Sequence, residues 1–336
     1  MMKHVINADS ISLAVPNTKN SNDRRELFSF ALNASARTKF VPVFFLFLCL
    51  VLSHVPANAA DEINGIKPKS TVQQALAYLD SVNKLKASAH WPNVDPDIFL
   101  KNLRAFAVSP LRFYEGKSTN FCAYSALTYI PLHYDPLGFS RFMVTLYIRG
   151  KARMGKVIFT PGKKIRLEAG LLKYKGPLDI NAAAQMWFLS LADEFKGYLN
   201  MFNQDFDKGD ENTLWAATNF SKFNRMLRRL FPSEINARGS DLVRPWIGDL
   251  YSYLQERLKK GVVFLYLNNR RLYKKKHVRV RFGIPTHYVV LLDIYKVDGK
   301  VNILYWDYGV KTLQQVTPRF LKTITFGITQ CILEEK

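Results

Sequence analysis

The chain reads as an α+β protein, with helices first and an antiparallel sheet at the end. Three observations predict that class. Apolar residues recur at steps of three and four through much of 71–230. From residue 262 the pattern changes to short runs rich in Val, Leu, Ile and Tyr. The two patterns occupy separate stretches instead of alternating, which favours helices packed on an antiparallel sheet over a parallel βαβ arrangement.

In chain order, residues 71–85 read as a helix with Thr71 near its cap and Ala75, Leu79 and Val82 on one face. A second short helix covers 95–106. Residues 110–120 (PLRFYEGKSTN) form a polar approach loop, and helical sequence starts at Phe121. Alternation in FMVTLYIRG and KVIFTPGKKIRLEAG points to strands or an irregular insertion across 140–175. Ala184, Phe188, Leu191, Phe195, Tyr198 and Phe202 form one helical stripe. Ala216, Phe220, Phe223, Leu227 and Leu230 form another, ended by Pro232. A further helix runs from about Trp246 to Lys260. Strands follow at 262–268, 287–295 and 301–307, and strand-like ITFGITQCIL (324–333) closes the chain.

Residues 41–55 (VPVFFLFLCLVLSHV) are uncharged and strongly apolar, but shorter than the roughly 20 residues of a membrane span. Arg37 and Lys39 precede them and Ala57-Asn58-Ala59 follows. This predicts residues 1–59 as an export signal with a long N-region, cut before Ala60, and residues 60–336 as the working domain. An uncleaved anchor is the alternative, and both put the main domain outside the cytoplasmic membrane, periplasmic or secreted. Cleavage removes six basic and three acidic residues, leaving 42 and 24 and a net charge of +18. Such a charge favours anionic partners. Only Cys122 and Cys331 remain, too few for a disulfide scaffold. They read either as one bridge or as a reactive thiol and a buried bystander.

The candidate chemistry lies in three separated places: Cys122 in NFCAYSAL, His287 in PTHYVVLLDIY and Asp307 in NILYWDYG. A thiol works as a nucleophile when ionised, and a helix N-terminus and a nearby imidazolium both stabilise the thiolate. Cys122 opens an apolar helix, His287 opens a strand, and Asp307 ends the next strand, where a carboxylate can orient the ring. Strand register tests the grouping. Asp298-Gly299 marks the turn between the two strands. A two-residue loop sets His287 opposite Val310 and turns Asp307 to the other face. A three-residue loop, Val297 to Gly299, sets His287 opposite Gly309 and makes Asp307 its diagonal neighbour on the same face. The triad therefore requires the three-residue, bulged turn.

The pattern resembles the papain-like cysteine peptidase superfamily, over the cysteine helix and the helix–strand–strand–strand run from about 246 to 310. The segments LKKGVVFLYLN, HYVVLLDIY and YWD carry the resemblance to bacterial, exported members. It implies a helical lobe bearing Cys122 as nucleophile and a β lobe bearing His287 as base and Asp307 as orienter, with a helical insertion around 140–240 and no cofactor. It also implies an oxyanion donor about six residues before the cysteine, usually Gln. Gly116 stands there, so Asn120 and the backbone N–H of Cys122 are the substitutes. The function implied is hydrolysis of peptide or isopeptide bonds through an acyl-enzyme on Cys122, with cell-wall peptide as one candidate substrate.

Two other readings compete. A transglutaminase-like acyl transferase presents Cys, His and Asp in the same order. A non-enzymatic binding protein would instead use a Cys122–Cys331 disulfide and a basic stretch. Between Glu256 and Asp293 there are ten Lys or Arg and no acid. Arg270, Arg271, Lys274, Lys275, Lys276, Arg279 and Arg281, interleaved with Tyr273 and Phe282, could grip an anionic surface. Export argues against intracellular nucleic acid. Gly116-Lys117-Ser118-Thr119 is no phosphate loop, because Leu111 stands where the first glycine belongs. The histidines at 90, 133, 277 and 287 show no ligand-spaced pair, so no zinc is expected.

Overall fold

A computed structural model of the chain describes residues 67–116, 119–172, 180–196, 205–272 and 285–334. All belong to one unit, Asn58–Lys336. The apolar run at 41–55 and its cleavage site lie outside the described residues. Among the described residues, no helix is long and apolar enough to cross a membrane.

Side-chain caps set most helix starts. Helix α1 (Val72–Ser81) opens with a capping box: Thr71 Oγ1 accepts from the Gln74 N–H, and Gln74 Oε1 accepts from the Thr71 N–H. Asp95 caps α2 (Pro96–Val108), with proline in the first turn where its missing N–H costs nothing. Helix α3 (Cys122–Tyr134) follows the approach loop. Helix α4 (Pro136–Arg149) occupies the stretch where strands were expected, and the caps explain why. Asp135 accepts from the Gly138 N–H, Pro136 starts the first turn, and Gly150 stops the helix at φ 65°. Residues 142, 144 and 146 imitate strand alternation because α4 is buried around much of its circumference.

The second ambiguous stretch divides. Strands β1 (Ala152–Met154) and β2 (Val157–Phe159) form a small hairpin, and α5 (Lys163–Glu168) follows. Helix α6 (Ala182–Glu194) is capped by Asn181. It stops before Tyr198 and Phe202, which lie outside the described residues. Helix α7 (Phe220–Leu230) begins after Asn219, which caps it, so Ala216 precedes the helix.

The six-stranded sheet comprises β3 (Ser233–Gly239), β4 (Val262–Leu267), β5 (His287–Val297), β6 (Lys300–Asp307), β7 (Val310–Val316) and β8 (Thr325–Leu333). Its order is β3-β8-β4-β5-β6-β7, antiparallel at every pairing. Two edge strands, β3 and β7, went unforeseen because exposed polar residues dilute the apolar pattern that marks the interior strands. All six residues of β4 are buried. Val262, Phe264 and Tyr266 join the core of the helical layer. Val263, Leu265 and Leu267 join a second core, under α8 (Leu250–Leu258) and α10 (Pro318–Ile324). Helix α3 packs across β5 and β6 from the helical side.

Candidate active site

His287 and Asp307 meet through a register shift that lies inside the strand. The β5–β6 connection is a two-residue turn: Val297 pairs with Lys300, and Asp298 and Gly299 hold φ of 48° and 71°. This corrects the three-residue turn that the triad was expected to require. The missing residue is supplied by a bulge at Leu292. Asp293 pairs with Leu304, but Leu291 pairs with Tyr305, and beyond that point the offset is one residue different. Continuing the shifted register places His287 opposite Gly309 and Asp307 diagonal to it on the same face. The two side chains then bond directly, His287 Nε2–H donating to Asp307 Oδ1 at 2.6 Å. Both residues are buried.

Cys122 comes to them at the first position of α3, preceded by Phe121, whose side chain makes no cap bond. Its Sγ lies 4.0 Å from the Thr286 carbonyl oxygen, and its thiol is close enough to the imidazole to raise the ring's pKa. With Nε2 committed to Asp307, Nδ1 is the nitrogen left to face the sulfur. Cys122 is partly exposed, whereas the next ten residues of α3 are buried. Phe121 anchors the helix start by stacking on Phe188, with ring centres 5.2 Å apart.

Burial alone would lower the His287 pKa. The Asp307 charge and hydrogen bond, with the Cys122 thiol, outweigh it and hold the ring well above its usual value. Asp307 and Cys122 thereby favour the protonated ring, the partner that a thiolate needs.

Two further residues, Glu115 and Tyr308, belong to the site and were not foreseen. Glu115 is 2% exposed. Its Oε2 accepts from Ser125 at 3.1 Å, and Thr119 Oγ1–H donates to its backbone carbonyl at 2.7 Å. Burial, then the charge of Asp307, push its carboxyl up to about 7. Gly116, at φ 86°, turns the chain directly after it, and a Cβ there would sit 2.8 Å from Ile180. Trp306 Nε1–H bonds the Leu111 carbonyl at 2.7 Å and pins this approach loop onto β6. In the sequence Glu115 is one acid in a polar loop, with no periodicity to show that it points inward. Tyr308 stacks on His287 with ring centres 4.7 Å apart. It holds φ 47° in the two-residue Tyr308-Gly309 turn, a left-handed conformation that costs a non-glycine residue about 1–2 kcal/mol. Lys222, 3% exposed, donates to Tyr124 Oη at 3.0 Å and to the Ala217 carbonyl at 3.2 Å. Burial and then the neighbouring Arg225 depress its pKa to about 7.

The oxyanion role expected of Asn120 finds no support in its contacts. Its side-chain amide donates to the Thr213 carbonyl at 2.8 Å, and its backbone N–H to the Glu211 carbonyl, so it tethers the neighbouring loop. The disulfide alternative is not formed: both cysteines are free. Cys331 pairs with Val262 at one end of β4 while Leu267 pairs with His287 at the other, roughly 17 Å along the strand. Burial pushes the Cys331 thiol up to about 12. Of the basic stretch, Lys274, Lys275, Lys276, Arg279 and Arg281 lie outside the described residues, as does the side chain of Arg270. Arg271 is described, in the short helix α9 (Asn269–Leu272).

Glu115, His287 and Asp307 each offer a ligand atom, all within 4.8 Å of one another, which is the spacing a cation would need. The 2.6 Å between Nε2 and Oδ1 argues for a shared proton. Two ligands on one metal, with bonds of about 2.1 Å, sit about 3 Å or more apart. A cavity of about 610 Å³ lined by Ile130, Tyr134, Phe142, Arg153 and Arg228 lies toward the other end of α3. Ile130 alone is about 12 Å along the helix from Cys122, so that cavity is separate from this site. Comparison with protein families, curated proteins and solved structures finds no match for this chain.

Proposed function

We propose that the protein is a thiol hydrolase of papain-like type, cleaving peptide or isopeptide bonds through an acyl-enzyme on Cys122. One observation carries the reading: a buried imidazole bonded through Nε2 to Asp307, with a helix-opening thiol in reach of its other nitrogen. In the first step the Cys122 thiolate adds to the substrate carbonyl. His287 gives its proton to the departing amine, leaving a thioester and a neutral ring. That ring then takes a proton from water, the resulting hydroxide attacks the thioester, and the acid product and Cys122 are released. Asp307 keeps the ring in one tautomer and supports its charge. The first N–H groups of α3, Cys122 included, lack carbonyl partners within the helix and suit the developing oxyanion.

The reading includes export, from the sequence at 41–59, and an acidic or cell-wall peptide as substrate, from the net charge of +18 over residues 60–336. Mild iodoacetamide treatment followed by mass spectrometry tests it. Cys122 should be carboxamidomethylated rapidly at neutral pH. In assays against peptide and isopeptide substrates, Cys122→Ala should lose hydrolysis while keeping its melting temperature, and hydroxylamine should trap the acyl-enzyme. Hydrolysis unchanged in Cys122→Ala would remove the nucleophile.

A further inference from the structure

Two carboxyl groups, Glu115 and Asp307, are buried beside one imidazole. A buried site with one cationic partner among the described residues does not hold two carboxylates easily, because their mutual repulsion is little screened. One of them keeps a proton. Asp307 is the one bonded to the imidazole at 2.6 Å, so it is the one whose ionised form is stabilised. Glu115 instead accepts from a neutral hydroxyl, Ser125.

Taking the thiol-hydrolase reading as its basis, we propose that Glu115 is a positioning residue that retains the one proton of this carboxyl pair and so leaves Asp307 as a single, fixed carboxylate for His287. The titratable groups around it are Asp307 on β6, His287 on β5 and Tyr308 in the turn after β6; Cys122 lies at the other ring nitrogen. Among the described residues, Ser125 from α3 and its own backbone also bond to it. Burial and the Asp307 charge bring the carboxyl up to about 7, so the second charge enters the site near neutrality. Above that point the imidazolium faces two negative groups, holds its proton more tightly, and becomes a poorer acid toward the leaving amine.

The test uses the full chain with ¹⁵N-labelled histidine, as wild type, Glu115→Gln and Glu115→Ala. In wild type the His287 ring resonances should show a step near pH 7 while the ring stays protonated. Neither variant should show the step. Cys122 alkylation should slow roughly 2- to 10-fold in Glu115→Ala, which removes the neutral carboxyl and its bond to Ser125 from beside the pair. Gln, neutral and nearly the same shape, should recover part of that loss. A step persisting in Glu115→Gln, or Glu115→Ala alkylated as fast as wild type, overturns the proposal. If the alanine variant does not fold, the His287 spectrum of the glutamine variant decides alone. Wild-type Cys122 alkylated no faster than a cysteine in the unfolded chain would instead sink the hydrolase reading, and the Glu115 role with it.

Discussion

Asp307 and Lys222 show opposite treatments of a buried charge. Asp307 is bonded to the buried His287 imidazole at 2.6 Å. Removing it leaves the protonated form of that ring without its partner in a low-dielectric site. Asp307→Ala should therefore slow Cys122 alkylation about 10- to 100-fold, the worth of a charge-assisted hydrogen bond of about 1.5–3 kcal/mol; an unchanged rate would mean that the pair is only structural. Lys222 has no carboxylate among its bonded partners, a phenol oxygen and a backbone carbonyl. Its pKa is about 7 in the folded protein against 10.5 ordinarily. Between those values the unfolded chain binds the extra proton, so this residue makes stability rise with pH across that window and fall as pH drops toward 7. The difference in melting temperature between wild type and Lys222→Met should shrink or reverse as pH falls from about 10 toward 7. A constant difference would show that the amine is not neutral when folded.

The elements that carry the site were legible to very different degrees. The placement of Cys122 at a helix start, His287 at a strand start and Asp307 at a strand end all correspond to element boundaries in the structure. So does the need for a one-residue offset between the two strands. Its location was hidden. Asp298-Gly299 is an ordinary two-residue hairpin signal, and nothing in YVVLLDIY marks Leu292 as the extra residue. Bulges are fixed by how both sheet faces pack, which here means two different cores. Glu115 was hidden for a related reason, since its inward orientation comes from the Gly116 turn and the Trp306–Leu111 pin. Deleting Leu292 brings Leu291 next to Asp293, so Leu291 keeps Tyr305 as its partner and His287 stays opposite Gly309 in a regular ladder. Rapid Cys122 labelling should therefore survive the deletion, with a loss of stability of about 1–3 kcal/mol in denaturant titration from the lost packing of Leu292 on the helical-layer core. Loss of rapid labelling would show that the bulge itself, beyond the offset it supplies, holds the pair.

At the scale of the whole molecule, the α+β class was readable because helical and strand patterns sit in separate halves of the sequence. The strand expected at 262–268 is β4, although both of its faces are covered and no polar alternation marks it. The two free thiols report on the same layering. Cys122 should label at once in the native protein, and Cys331, buried within β8 between β3 and β4, only after denaturation. Cys331→Ala should leave alkylation of Cys122 unchanged; a lower rate would tie the two ends of β4 together. Chelators should also leave Cys122 reactivity unaltered, because the imidazole–carboxylate contact is a proton-linked one.

Placing the register correction at Leu292 has a practical corollary. The β5–β6 turn lies ten residues from His287, about 33 Å along the strand, with nothing within 4 Å of where a Gly299 side chain would begin. Because the phase of the His287–Asp307 pair is set upstream of that tip, the tip is free to vary. A short peptide epitope or fluorophore-bearing tag spliced between Asp298 and Gly299 should leave the thiol as reactive as before, giving the protein a reporter handle at the far end of its own sheet.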